Sequence, residues 1–298
     1  MSLPVGRLHL LLRAAGNQKR ESVPLSLDIQ SFLAASTQEA GPVIDVRAPA
    51  EFQKGHIPGA VSVPLFDDAE RAEVGTLYKQ EGRDIAVLKG LELVGPKMAD
   101  FVRMAEALAP ERKIRVHCWR GGMRSESMGW LWEKAGFSVT LLKGGYKAFR
   151  QHNRTLFEHP WKLQVLSGPT GSGKTPILHA MAGQGAQVLD LEGLARHKGS
   201  AFGGIGQAEQ PSTEHFENLL AAALSVFDPL LPIWVEDESI GIGRIFVPLA
   251  FYERMQTAPV WVVDLPQELR IARLVREYAL PTVKEELSAA LKRIGKRL

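Results

Sequence analysis

A glycine-rich stretch in the second half of the chain, Gly168-Pro169-Thr170-Gly171-Ser172-Gly173-Lys174-Thr175, constrains the fold more than any other feature. It matches the pattern G-x-x-x-x-G-K-[ST] in full and follows an apolar run, Leu163–Ser167, that reads as a buried strand. The glycines let backbone N–H groups close around phosphate oxygens, Lys174 adds a point charge, and Thr175 is the candidate ligand for Mg2+. Pro176 suits the first turn of the helix that must follow, where its missing N–H is not needed. Gly168, Gly171, Ser172, Gly173, Lys174 and Thr175 are therefore the expected phosphate- or diphosphate-binding residues. A strand that feeds such a loop and then a helix begins a parallel α/β sheet, and the runs Val188–Leu191, Ile233–Glu236 and Val260–Asp264 supply further strands. Glu236 and Asp237 close one of these strands and are candidate metal-side acids, with solvated strand-end charges as the plainer reading. Val188-Leu189-Asp190-Leu191-Glu192 competes for the same role.

The first half alternates in the same way. Val43–Val46, Ile114–His117 and Val139–Leu142 read as buried strands, while Met98–Leu108 and Ser125–Ala135, stopped by Gly136, have helical periodicity. Between a strand and a helix lies His117-Cys118-Trp119-Arg120-Gly121-Gly122-Met123-Arg124-Ser125. Cys118 is the single cysteine, which excludes an internal disulfide, a cysteine-based zinc site and a two-thiol relay. A cysteine at a strand end, before a glycine turn and a helix N-terminus, meets N–H donors that favour an anion and the thiolate itself. Cys118 is thus the candidate catalytic residue, and Trp119, Arg120, Gly121, Gly122, Met123 and Arg124 form the expected anion cradle. A buried, inert cysteine is the alternative, and the cationic, glycine-rich neighbours speak against it. Strand alternation points His117 away from Cys118.

A chain of 298 residues has length for two domains. The expected division is an N-terminal extension or first strand at 1–21, a domain at 22–155 and a second at 160–298, with the polar stretch Gln151–His159 and Pro160 as the boundary. Arg7, Arg13, Lys19 and Arg20 surround an N-terminal apolar patch, Leu8–Leu12, too short for a secretory signal. Leu219–Phe227, the longest apolar run near the middle, falls far short of the ~20 residues of a membrane span, so a cytoplasmic protein with no membrane partner is expected. The net charge of +3 permits a nucleic-acid partner without demanding one. Lys147, Arg150 and Arg154, and again Arg270, Arg273 and Arg276, recur at helical spacing and either meet nucleic-acid phosphates or form solvated faces.

Several motifs are more specific. Asp45-Val46-Arg47-Ala48-Pro49-Ala50-Glu51-Phe52, Gly55-His56-Ile57-Pro58-Gly59-Ala60 and Val63-Pro64 resemble the signature of the rhodanese family, and Gly144-Gly145-Tyr146 resembles its closing turn. In that family the loop cysteine carries a chalcogen as a persulfide. Five residues separate Cys118 from Arg124, one more than sulfurtransferases commonly have, a length shared with a related group of cysteine-dependent phosphatases. Glu73–Gln80, the Cys118–Ser125 loop, Asp190–Ala195 with His197–Ser200, Gln210–Ser212 with Phe216-Glu217, and Glu236–Ser239 together resemble the tRNA 2-selenouridine synthase family over roughly 22–297. The pattern departs at Ile240 and Gly241, where polar or basic residues are expected, and relatives continue for tens of residues past Lys296-Arg297-Leu298. The resemblance implies a rhodanese-like parallel-sheet domain followed by a P-loop parallel-sheet domain. It also implies an enzyme acting on wobble 2-thiouridine in tRNA, with selenophosphate as selenium donor and geranyl diphosphate as second co-substrate, no tightly bound cofactor, and Mg2+ at most. Two other readings stay open: a sulfurtransferase or phosphatase fused to an ATP-dependent kinase-like domain, and a non-catalytic, nucleotide-gated tRNA-binding module.

Overall fold

The structure, a computed structural model, describes residues 24–34, 37–278, 287–288 and 292. Arg7, Arg13, Lys19, Arg20 and the Leu8–Leu12 patch, like the chain end Lys296-Arg297-Leu298, lie outside the described residues.

Buried β-branched runs set the framework. In the first sheet, β1 (Leu25–Leu27), β2 (Val43–Asp45), β3 (Val61–Ser62), β4 (Lys113–His117) and β5 (Ser138–Leu142) lie in the order β1-β5-β4-β2-β3 with every pairing parallel. Both faces are covered, which is why the central strands read as continuous apolar runs rather than alternating ones. Ile44, Val116, Met128 and Trp132 pack on one side, and Phe32, Leu142, Tyr146 and Phe149 on the other. The second sheet contains β6 (Leu163–Ser167), β7 (Gln187–Leu189) and β8 (Ile233–Glu236). A hairpin, β9 (Gly241–Ile242) with β10 (Ile245–Phe246), precedes β11 (Val260–Val262), and the sheet order is β11-β6-β8-β7, again all parallel. The architecture is the α/β pair of parallel sheets that the sequence predicts.

The helix Met98–Leu108 spans its predicted residues, and the helix expected from Ser125 starts at Met123 and ends at Lys134. Two helices with weak periodicity, Asp68–Gln80 and Arg83–Val94, pack against each other beside the first sheet. The first of them starts at a reciprocal cap, in which Asp67 accepts from the Glu70 N–H and Glu70 from the Asp67 N–H.

The polar stretch expected to separate the domains is not a linker. It is the second half of a helix, Gly145–Glu158, whose Tyr146, Phe149, Asn153 and Phe157 are buried. The spacing of about four residues puts them on one face, where three aromatic side chains and one amide hide among polar neighbours. Phe149 belongs to the first core and Phe157 to the second, so one helix serves both. The fully buried Asn218, on the helix Thr213–Leu224, ties the halves together. It donates to the His56 carbonyl (2.9 Å) and the Tyr146 hydroxyl (2.7 Å), and accepts from Arg150 (2.6 Å) and Asn153 (3.1 Å). Among the described residues no helix is long and apolar enough to cross a membrane.

Replacing Phe157, 5% exposed in the second core, by alanine should cost about 3–5 kcal/mol in urea unfolding. The adjacent exposed Glu158→Ala should stay within about 0.5 kcal/mol.

Candidate functional site

Cys118 follows the last residue of the central strand β4. The loop is clamped from outside by the start of the helix Gly145–Glu158: the Tyr146 N–H donates to the Cys118 carbonyl (2.8 Å) and the Lys147 N–H to the Trp119 carbonyl (2.9 Å). This approach explains the paired glycines. Gly145 has φ +59°, and a Cβ there would collide with the Cys118 carbonyl oxygen and the Gly121 nitrogen. Gly121, at φ +67°, likewise leaves no space for a Cβ, which would lie 2.7 Å from the Leu142 carbonyl oxygen.

The thiol itself is 3% exposed. Fully buried Ser125 places its hydroxyl 3.2 Å from Sγ and 3.0 Å from the Gly122 carbonyl oxygen. This hydroxyl was not among the residues the sequence singled out, although it is the residue directly after Arg124. The Arg124 guanidinium is held by Glu51 at 2.7 Å, a carboxylate that Arg71 also approaches at 3.8 Å. Arg120 and Trp119 are exposed. Trp119, Arg120, Gly122, Met123 and Arg124 of the expected cradle border one cavity with Cys118, and Glu51, from the Asp45–Phe52 motif, pairs with Arg124 there. Behind the loop, Arg47 forms a buried fork with Asp45 (2.6 Å), donates to the Gly55 carbonyl (2.7 Å) and lies 3.7 Å over the Tyr146 ring. His117 is fully buried with Nε2 3.7 Å from Asp45, and burial holds its pKa below the ordinary histidine value.

In front of Cys118 opens a cavity of about 670 Å3, bounded by the cysteine loop and the helices Asp68–Gln80 and Arg83–Val94. Its wall is largely aliphatic and aromatic, including Leu65, Phe66, Val74, Ala86 and Val94.

In the second domain the glycine-rich loop joins β6 to the helix Lys174–Gly183 and borders a cavity of about 1030 Å3. Gly168, Gly171 and Gly173 all have positive φ. Lys174 donates to the Gly168 carbonyl (2.8 Å), the Thr175 hydroxyl donates to Glu192 (3.1 Å), and the Ser167 hydroxyl donates to Asp237 (2.6 Å). The two acids expected at the end of β8 part company. Asp237 lines the cavity, whereas Glu236 is fully buried and accepts from the Leu191 N–H (3.1 Å), so it caps a neighbouring helix. Glu192, from the competing segment, and Glu238 line the cavity instead. Burial, then the nearby Glu192, pushes the Glu238 pKa up to about 8; burial, then Asp190, does the same for Glu236.

The basic stripes divide. Lys147 and Arg154 are exposed, while Arg150 is engaged by Glu217 and by Asn218. Arg270 reaches the Thr170 carbonyl (3.5 Å), and Arg273 packs against Gly173 and lines the phosphate-loop cavity. Arg276 is exposed. Neither triplet is a continuous solvated face, because the middle residue of each turns into the protein.

Fold and loops define a rhodanese-like domain followed by a P-loop domain. The family model for the rhodanese-like domain matches residues 29–152, and the model described as the tRNA 2-selenouridine synthase AAA domain matches 161–298. Proteins named tRNA 2-selenouridine synthase are similar throughout. The one from Nitrosomonas europaea is 39% identical, over 86% of this chain and 67% of its own length. That from Shewanella woodyi is 42% identical over 80% and 65%, and that from Bdellovibrio bacteriovorus 40% identical over 85% and 69%. The chain belongs to the tRNA 2-selenouridine synthase family and spans about two thirds of the length of these relatives.

Gly145→Ala should push the Cys118 loop out of place, and alkylation of the single thiol by iodoacetamide should change rate several-fold without loss of helical circular dichroism. A pH dependence also follows. An acid with a raised folded pKa keeps its proton when folded and releases it on unfolding, so stability falls as pH rises from about 4.5 to about 8. The thermal midpoint should drop across that window, and less steeply in Glu236→Gln.

Proposed function

We propose that this chain carries out the reaction its relatives are named for, replacing the sulfur of wobble 2-thiouridine in tRNA with selenium, through an S-geranyl intermediate. The observation that carries this reading is the presence of two anion-receiving loops, each at the C-terminal edge of a parallel sheet, joined by one helix. Two such loops suit a reaction with two phosphorylated co-substrates.

In the first step the thiouridine sulfur attacks C1 of geranyl diphosphate. A C–S bond forms, the C–O bond breaks, and diphosphate leaves with the electron pair. Lys174, the glycine-loop amides and Arg273 are placed to receive that charge. The oxygen donors of Thr175, Glu192 and Glu238 suit Mg2+, which is held by one or two carboxylates together with substrate phosphates. In the second step the selenium of selenophosphate adds at C2 of the uridine, the C2–S bond breaks, geranylthiolate departs and takes a proton, and water then cleaves the P–Se bond and releases phosphate. Alkylation has by then turned a poor leaving group into a better one. Cys118 positions the selenium donor at this centre. It has no second thiol to resolve it, so selenium passes directly to the nucleoside. Exposed Lys147, Arg154 and Arg276 contribute phosphate contacts to tRNA, in the cytoplasm where that substrate resides.

Nucleoside mass spectrometry on treated tRNA tests the assignment. Cys118→Ala should block selenium incorporation and accumulate the geranylated nucleoside. Lys174→Ala should leave plain 2-thiouridine, slowing the first step more than tenfold if its charge-assisted contact contributes about 1.5–3 kcal/mol. Loss of the geranylated species in Cys118→Ala, or its full-rate formation by Lys174→Ala, would overturn these roles. Removing Lys147 and Arg154 together should lower tRNA affinity and reduce its salt dependence by up to about two phosphate contacts.

A further inference from the structure

The two cavities differ in chemistry. The phosphate-loop cavity is lined by charged side chains, Lys174, Asp190, Glu192, Asp237, Glu238 and Arg273, and by glycine-rich backbone, and among the described residues its bulky apolar contributions are Pro169, Pro176 and Leu274. A ten-carbon chain placed there would lie against charged side chains and displace water from them without replacing its hydrogen bonds. The cavity beside Cys118 is the more apolar: Leu65, Phe66, Val74, Ala86, Val87 and Val94 line it, with Arg71 and Arg124 also on its wall. At about 670 Å3 it falls within the ~300–1,000 Å3 of small-molecule sites. Leu91 and Tyr78, at 64% and 56% exposure, stand at its mouth, and Lys79 and Arg120 lie on its rim. Large apolar side chains gathered in solvent at the mouth of an apolar cavity mark a place where a ligand covers them.

We infer that this cavity holds the hydrocarbon chain of an S-prenylated thiouridine, bringing the carbon that bears the thioether to the Cys118 thiol while the cationic rim meets flanking RNA phosphates. The inference rests on the two-step reading above and adds to it a location. The diphosphate is gripped in the second domain, but the chain, once transferred to sulfur, is recognised in the first. Cys118 is part of the apolar cluster that also contains Leu65, Phe66, Val74 and Val94, so nucleophile and chain site share one wall. A substrate lacking the chain would leave that wall wet and gain nothing from it. The cavity therefore selects the alkylated nucleoside, the form with the better leaving group, for selenium transfer.

The test uses the full chain and two anticodon stem-loop RNAs, one with 2-thiouridine and one with S-geranyl-2-thiouridine at the wobble position. The wild type should bind the geranylated RNA at least about tenfold tighter. Leu91→Glu, at an exposed position that leaves the core intact, and Ala86→Phe, which fills the cavity, should each remove that preference. Both should bind the 2-thiouridine RNA as the wild type does, and Lys174→Ala should keep the preference. Should Ala86→Phe fail to fold by circular dichroism, Leu91→Glu decides. A preference that survives in the folded cavity variants, vanishes in Lys174→Ala, or is missing in the wild type overturns the assignment. Conversion of the geranylated RNA to selenouridine, followed by mass spectrometry, judges the two-step reading separately. Conversion without dependence on the cavity sinks the cavity assignment alone, and preferential binding without conversion sinks the reading while supporting the cavity.

Discussion

The contact between two stretches of bare backbone, Gly144-Gly145 and the Cys118 loop, governs the arrangement of the first domain and its attachment to the second. The helix beginning at Gly145 donates two N–H groups to the loop carbonyls, and it can come that close because nothing projects from Gly145 or Gly121. Helix N-termini have N–H groups with no partner in their own helix, and here the cysteine loop supplies two acceptors. The loop is fixed by hydrogen bonds to its backbone, so its side chains are left for chemistry. Tyr146, the next residue, lies between the Arg47 guanidinium and the amide of Asn218, so the motif that props the loop also carries the link to the P-loop domain.

Much of this was legible in the sequence, and the reasons differ by element. Leu163–Ser167 and Ile233–Glu236 were readable to the residue because a strand covered on both faces is a continuous apolar run. The phosphate loop was readable because its backbone geometry requires glycine at particular places. The helix Gly145–Glu158 was harder, since its buried face consists of Tyr146, Phe149, Asn153 and Phe157 among charges, and a buried asparagine looks like a surface residue until its partner Asn218 is known. Glu236, by sequence a candidate metal-side acid or a solvated strand end, is a buried helix cap. Glu238, two residues on, reaches the cavity because the strand has ended between them.

The charges show the same limit. Helical spacing places Arg150 with Lys147 and Arg154, and Arg273 with Arg270 and Arg276, but spacing says which side chains share a face, not what lies opposite. Opposite Arg150 stand Glu217 and Asn218; opposite Arg273 stands the phosphate loop. Likewise Arg124 is near Cys118 in sequence and bonded to Glu51 in space, seventy-three residues away along the chain. Long-range pairing of this kind has no local signature.

The helix shared by the two cores has a mechanical consequence. With 14 residues it is about 20 Å long at about 1.5 Å per residue. One end is bonded to the cysteine loop and the other is embedded by Phe157 in the P-loop core. Such a strut resists compression and bending far better than a linker would, so the second domain cannot tilt about it without dragging the thiol loop along. The spacing between the Cys118 loop and the glycine-rich loop thus depends on this rod together with the Asn218 bonds, and inserting a single residue within the rod would turn its two ends against each other by roughly 100°.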